Sequence, residues 1–217
     1  MSRSSATFVF VAVLGTLVVS PLAHADEAIS VRFGLGGGFW SLNKKSLEAS
    51  LSKKENLDSG LLADEVGDGM AIRFALEFDL GGYVSLELGA SGHGYNLSGG
   101  IGGTMHATGV LRFHPLEAFF PERNYDASVF AGGGYSMFGG GHKDSDDNRA
   151  LTGGVAEFGF GGRYEFVDWF SLGAEYRIAI PFYDTWEVDM FGGEDHGLGF
   201  SPDMLFHALF LMINFHA

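Results

Sequence analysis

Cysteine is absent, and only 5 of the 217 residues are proline. The first absence rules out disulfides, thiolate zinc sites and thiol nucleophiles, so stability must come from packing and hydrogen bonds. Positive charge is scarce: 13 Lys and Arg stand against 27 Asp and Glu, a formal net charge of −14. Nucleic acid is thereby excluded as a partner, because binding to it rests on neutralising phosphates with Lys and Arg. A bare anionic membrane surface is disfavoured on the same ground. Beyond the N-terminal segment no stretch holds 18 uninterrupted apolar residues, which excludes helical membrane spans.

What remains is ample material for one domain, with no internal boundary. Apolar residues make up 46% of the chain and charged residues 18%, a balance that excludes disorder. The 34 glycines are spread through the apolar stretches, unlike those of a flexible linker. Residues Met1 to Ala25 read as a cleavable export signal. Arg3 supplies its positive start, Phe8 to Leu22 its apolar core, and Ala23-His24-Ala25 its cleavage site. The mature domain is then 26–217.

Along that domain apolar residues alternate with a period of two. Ile72, Phe74, Leu76, Phe78 and Leu80 fall on one side of a strand, with Ala71, Arg73, Ala75, Glu77 and Asp79 on the other. Eight such segments are predicted, near Ile29 to Trp40, Met70 to Leu80, Tyr83 to Tyr95, Thr104 to His114, Ala127 to Phe138, Val155 to Phe166, Phe170 to Ile180 and Leu205 to His216. Each is about the 9 to 11 residues that a tilted transmembrane strand requires. Long connections (Ser41 to Gly69, Asn96 to Gly103, Gly139 to Gly154, Pro181 to Met204) alternate with the others (Gly81-Gly82, Pro115 to Asp126, Val167 to Trp169), two of which are tight turns. Outer-membrane barrels put their longer loops outside and their short turns at the periplasm. The expected fold is therefore all-β: one antiparallel transmembrane barrel of about eight strands.

Energetic cost decides which face meets lipid. An outward Arg at the bilayer midplane costs about 2 to 4 kcal/mol, so the charged set must point inward. That places Arg32, Arg73, Glu77, Glu87, Arg112, Glu157, Arg163, Glu175 and Arg177 in the lumen as a charge network, with Asp79 and Glu165 on the same face. In a soluble, lipocalin-like barrel the polarity would be reversed. Phe78, Tyr83, Phe113, Phe119, Phe120, Phe166, Trp169 and Phe170 gather at the short-turn end, where an interfacial girdle belongs. If the third and fourth strands pair about the centre of Asn96 to Gly103, Glu87 meets Arg112 and His93 meets His106. A closed plug of ion pairs is the expectation for so narrow a lumen. The alternative is a narrow channel, opened where Gly34, Gly36, Gly132, Gly134, Gly159 and Gly161 leave space.

His93 and His106 are lumen histidines with no third metal ligand at a suitable spacing, so polar filling is expected of them. Asp144, Asp146 and Asp147 begin like a calcium loop, but Arg149 stands where the turn glycine belongs and Val155 where the closing Glu belongs. A solvated acidic loop is the simpler reading. The last long connection carries Asp184, Glu187, Asp189, Glu194, Asp195 and Asp203 with no Lys or Arg. Divalent cations could bridge these carboxylates to anionic lipid head groups. The chain has no G-x-S-x-G elbow, no H-E-x-x-H and no P-loop, so catalysis is not indicated and no cofactor is implied.

With Val110 to Pro115, then Ala127 to Tyr135 with its Gly132-Gly133-Gly134, and an aromatic last strand, the mature chain resembles the small outer-membrane barrel superfamily typified by the OmpA transmembrane domain, OmpX and OmpW. The resemblance implies a monomer in outer-membrane lipid, inserted by the barrel-insertion machinery through a C-terminal aromatic signal. Here Phe215 is followed by His216-Ala217, a departure from that signal. Three function classes follow: a structural or surface-interaction barrel first, a narrow channel for small or apolar solutes second, and a lipid-modifying enzyme third.

Overall fold

The computed structural model describes residues 29–42, 69–81, 83–97, 100–120, 123–142, 148–188, 195–197 and 204–217. The export-signal reading of 1–25 and the acidic residues Asp144, Asp146, Asp147, Asp189, Glu194 and Asp203 lie outside the described residues. Eight long strands form the wall: β1 (Ile29–Leu42), β2 (Gly69–Asp79), β3 (Val84–Leu97), β4 (Gly100–Phe113), β5 (Tyr125–His142), β6 (Asn148–Val167), β7 (Phe170–Val188) and, after a three-residue strand β8 (Asp195–Gly197), β9 (Met204–His216). Each pairs antiparallel with its neighbours. β6 pairs with β7, β7 with β9 and β9 with β1, so the sheet closes on itself and leaves no edge along most of its height. A single helical turn, α1 (Pro115–Phe119), starts at a proline where a missing N–H costs nothing and joins β4 to β5.

The polarity is inside-out. Leu211 on β9 is 71% exposed, and Leu35, Ile72, Met105, Leu111 and Phe160 also face outward, whereas Glu87 on β3 is 0% exposed. A water-soluble barrel would have the opposite arrangement, so the lipocalin-like alternative falls. Aromatic side chains crowd the short-turn end of the wall: Tyr83 meets Phe113 edge-on, and Trp169 stacks on Phe215.

Sequence expectations for loop length and for one register need correction. Asn96 to Gly103 is not a long loop, since β3 continues to Leu97 and pairs with β4 from Gly100. The register of that hairpin is two residues tighter than expected. Ser85 stands opposite Arg112, Glu87 opposite Val110, Ser91 opposite His106 and His93 opposite Thr104. A slip of two preserves which face each side chain occupies, so the four lumen residues stay inside. Gly139 to Gly154 is likewise mostly strand, with Gly139 to Gly141 paired to β4 and Asn148 to Gly154 paired to β7 or β5. Glycine runs carry no side-chain alternation yet form ladders through their backbone, which is why periodicity missed them. With 18, 20 and 19 residues, β5, β6 and β7 exceed the span of a bilayer. They rise roughly 20 Å beyond the apolar band once strand tilt is allowed for.

Candidate functional site

The lumen is organised around Glu87. Its two carboxylate oxygens accept from four guanidinium groups, those of Arg32, Arg73, Arg112 and Arg177, each at 2.6 Å. These arginines come from β1, β2, β4 and β7, so one side chain ties together five strands. Glu77, Glu157 and Glu175 supply the remaining negative charge. Arg32 reaches Glu77 at 2.8 Å and also pairs with Glu175. Arg177 pairs with Glu157 and lies 2.6 Å from Glu175, and Arg112 lies 2.9 Å from Glu175. Four arginines and four glutamates form a layer with no net charge, the condition under which buried ions are tolerable. The ring of Phe130 from β5 lies between two of the cations, 4.4 Å from Arg112 and 4.3 Å from Arg177. Glu87 meets Arg112 diagonally, across the shifted register, because the arginine stem is long enough to reach.

Arg163 belongs to a second cluster nearer the short turns. It lies 3.7 Å from Asp126 and 3.9 Å from Glu77. His114, one residue past the end of β4, places Nδ1 2.6 Å from Asp126 and Nε2 3.0 Å from Ser85 Oγ and 3.1 Å from Glu77. Ser85, His114 and Asp126 thus stand in the order of a catalytic triad. The electrostatics remove that chemistry. Burial opposes charge on His114, but the hydrogen bonds to Asp126 and Glu77 and their negative charges outweigh it and push its pKa up to about 9. A protonated imidazole donates through both nitrogens and cannot accept the Ser85 proton. Ser85 itself donates to Glu77 at 2.7 Å and is buried, leaving no face for a substrate carbonyl. The cluster is a charged seal at the turn end of the lumen.

On the other side of the Glu87 layer the lumen turns apolar. Phe206, Ala208, Phe210 and Met212 of β9 point inward, and Ala71, Ala208, Phe210 and Met212 form a buried cluster. His93 and His106 sit here with ring centroids 5.5 Å apart, and His106 lies edge-on to Phe206 at 5.2 Å. Neither ring nitrogen of His106 has a hydrogen-bond partner among the described residues. A small cavity lined by Ser91, both histidines, Glu157, Arg177, Ala179, Phe206, Ala208 and Phe210 has roughly 10 Å³ open to a water's centre, room for about one water. Among the described residues no three His, Cys, Asp or Glu side chains converge as a metal set.

The inward glycines have close neighbours where a side chain would begin. A Cβ on Gly34 would lie 2.7 Å from Met212 Sδ, on Gly161 2.8 Å from Glu175 Cγ, and on Gly159 2.1 Å from the Tyr176 carbonyl oxygen and 2.6 Å from Phe130 Cζ. The space that these glycines leave is filled by plug residues. At Gly36, Gly132 and Gly134 a Cβ would sit within 1.9–2.1 Å of a carbonyl oxygen on the adjoining strand, so glycine there permits close backbone approach in a tightly coiled wall.

Asp184 lies at a register irregularity in the β6–β7 ladder, while Glu187 and Asp195 are paired with each other across β7 and β8. Sequence reasoning missed His114, Asp126, Ser85 and Asn214, which satisfy the ends of the network. Arg32 Nε donates to Asn214 at 2.9 Å, and Asn214 donates to Ser171 at 2.9 Å. Inward parity on the strands flanking each charge was the signal available for Ser85, Asp126 and Asn214.

No protein-family model matches the chain, and no curated protein does. Solved structures do match its fold. Neisserial surface protein A superposes with a TM-score of 0.60 at 9% identity, covering 86% of this chain and 96% of that one. Ail, the attachment invasion locus protein of Yersinia pestis, gives 0.51 at 9% identity over 89% and 100%. The outer membrane protein OprG from Pseudomonas aeruginosa gives 0.52 at 13% identity over 89% and 98%. The chain has the fold of the small eight-stranded outer-membrane barrels.

Proposed function

We propose that the chain is an integral outer-membrane barrel with a structural or surface-interaction role. The carrying observation is the neutral ion-pair layer at Glu87, which links β1, β2, β3, β4, β6 and β7 across the lumen beneath an apolar exterior. The protruding parts of β5, β6 and β7 give such a barrel a surface for contacts outside the membrane, and Ail and Neisserial surface protein A, named for attachment and for the cell surface, are similar in fold. On this reading the chain is exported, cleaved after Ala25, delivered to the barrel-insertion machinery and monomeric in outer-membrane lipid. Divalent cations would bind at its acidic loops. Two measurements test the role together: gel migration of unboiled against boiled protein after outer-membrane extraction, and conductance in planar bilayers. Heat-dependent migration with a silent bilayer is expected. Recovery in the soluble periplasm overturns the proposal.

One observation favours a narrow route for small apolar solutes as the second reading. β9 pairs with β7 only as far as Ala179 opposite Phe206, although β7 runs on to Val188. Ala179, Phe206 and Phe210 line the small cavity at that parting. Steady conductance, or uptake of an apolar solute into vesicles that carry the protein, supports this reading over the first. The lipid-modifying reading has less behind it, since Asp126 and Glu77 favour the protonated form of His114 beside Ser85. Unchanged lipid A after expression is the expected result.

A further inference from the structure

Arg32, Arg73, Arg112, Arg163 and Arg177 each lie against a carboxylate inside the barrel. Arg123 stands apart from them. It is exposed, lies two residues before β5, and faces no carboxylate among the described residues. Its guanidinium is stacked instead on two rings, 4.8 Å from the centre of Phe120 and 5.2 Å from that of Tyr125. The carboxylates closest to it along β5 and the adjoining β6 are taken. Asp126 is held by His114 and lies near Arg163, and Glu165 lies 3.5 Å from Arg163. Around Arg123 the surface is aromatic: Phe119 is 72% exposed and Phe120 51%, on the same end of the wall as Tyr83, Phe113 and Tyr125.

We infer that Arg123, framed by Phe119, Phe120 and Tyr125, is a binding site for the phosphate of a membrane phospholipid in the leaflet at the short-turn end. The inference rests on the membrane reading given above. Its chemistry is complementary on both sides of the interface. Exposed phenylalanine rings just beyond a strand end gain by entering the acyl boundary, and a tyrosine there keeps its hydroxyl in the headgroup layer. A cation held over two ring faces stays at that level without being drawn into the lumen. The planar guanidinium fork then points at the layer of lipid phosphates, which it matches in a bidentate manner. A soluble phosphate would satisfy the charge alone and leave Phe119 and Phe120 in water.

Native mass spectrometry of the full chain in neutral detergent, titrated with palmitoyl-oleoyl phosphatidylethanolamine, tests the site. The expected result is that Arg123→Gln weakens retention of the first bound lipid at least about fivefold, the loss of one charge-assisted bidentate contact. Arg149→Gln, changed at the far end of β6, is expected to leave retention intact. Diacylglycerol, which lacks the phosphate, is expected to bind wild type and R123Q alike. Equal phosphatidylethanolamine retention by wild type and R123Q overturns the site. So does an equal loss in R149Q, and so does complete displacement of the lipid by millimolar inorganic phosphate, which would mark a soluble-anion site. Gel heat-modifiability on the same samples separates the two levels: its absence in wild type refutes the membrane barrel, while its presence beside an unaffected R123Q refutes only the lipid site.

Discussion

Replacing Glu87 by Gln leaves the shape of the plug almost unchanged and removes the one charge that four arginines share. The layer then holds four guanidinium groups against Glu77, Glu157 and Glu175, and an amide N–H is set among donors that need an acceptor. Breaking a buried ion pair by removing one partner typically costs about 3 to 5 kcal/mol, because the other charge is left uncompensated. The four contacts do not add, since the arginines retain carboxylates at Glu175, Glu157 or Glu77, so a loss of about 3 to 5 kcal/mol is expected for the whole substitution. With a urea dependence on the order of 2 kcal/mol per molar, the unfolding midpoint of vesicle-folded protein should fall by roughly 2 M. Glu165→Gln, at a more accessible pair with Arg163 at 3.5 Å, is the comparison and should cost under about 1 kcal/mol. An E87Q barrel that unfolds within about 1 kcal/mol of wild type refutes the ion-pair layer's role, for then the lumen is wet enough to screen its charges.

The seal at His114 makes stability depend on pH. Its folded pKa of about 9 lies above the ordinary 6.5, so its stabilisation is complete below pH 6.5 and is lost as pH rises through 9. The groups facing it are Glu77, Asp126, Ser85 and, beyond them, Arg163. About 3 kcal/mol is at stake; urea midpoints measured from pH 7 to 10 should decline in wild type and stay level in His114→Gln, and parallel profiles would sink the assignment. Leu211→Arg, on the most exposed position of β9, should destabilise the vesicle-folded barrel by about 2 to 4 kcal/mol, a penalty that a water-soluble barrel would not show. Gly81 joins β2 to β3 at a φ of +136°, and Gly81→Ala should cost on the order of 1 kcal/mol in the same unfolding assay, whereas no change would mean that the turn adapts freely.

How much of this was legible depends on which physical signal each feature leaves in the sequence. The strands that alternate strictly, β2 above all, gave away both their existence and their orientation, because an arginine such as Arg73 between Ile72 and Phe74 has only one affordable direction in lipid. β9 was harder. Phe206, Phe210 and Met212 face inward as Leu209, Leu211 and Ile213 face outward, so its apolar residues run together and no charged side chain marks the inward face. The upper parts of β4, β5 and β6 were illegible for a different reason: Gly102, Gly103, Gly139, Gly140 and Gly153 pair through backbone groups that every residue possesses.

The error in the β3–β4 register shows where the limit lies. Pattern reasoning constrains a strand modulo two, since only odd slips move a side chain between lipid and lumen. Glu87 opposite Arg112 and Glu87 opposite Val110 are therefore equivalent to the membrane, and nothing in the alternation could choose between them. The choice is made by the hairpin between Leu97 and Gly100 and by what Glu87 must reach. In the observed register its carboxylate contacts Arg112 diagonally while also meeting Arg32, Arg73 and Arg177. A carboxylate shared by four strands' arginines is a property of the closed barrel as a whole, and no single hairpin could announce it. His114 is the same case in miniature. It stands at the end of the predicted fourth strand and one residue past β4, and the pairing of β2 to β5 in one curved wall brings Glu77 and Asp126 to its two nitrogens.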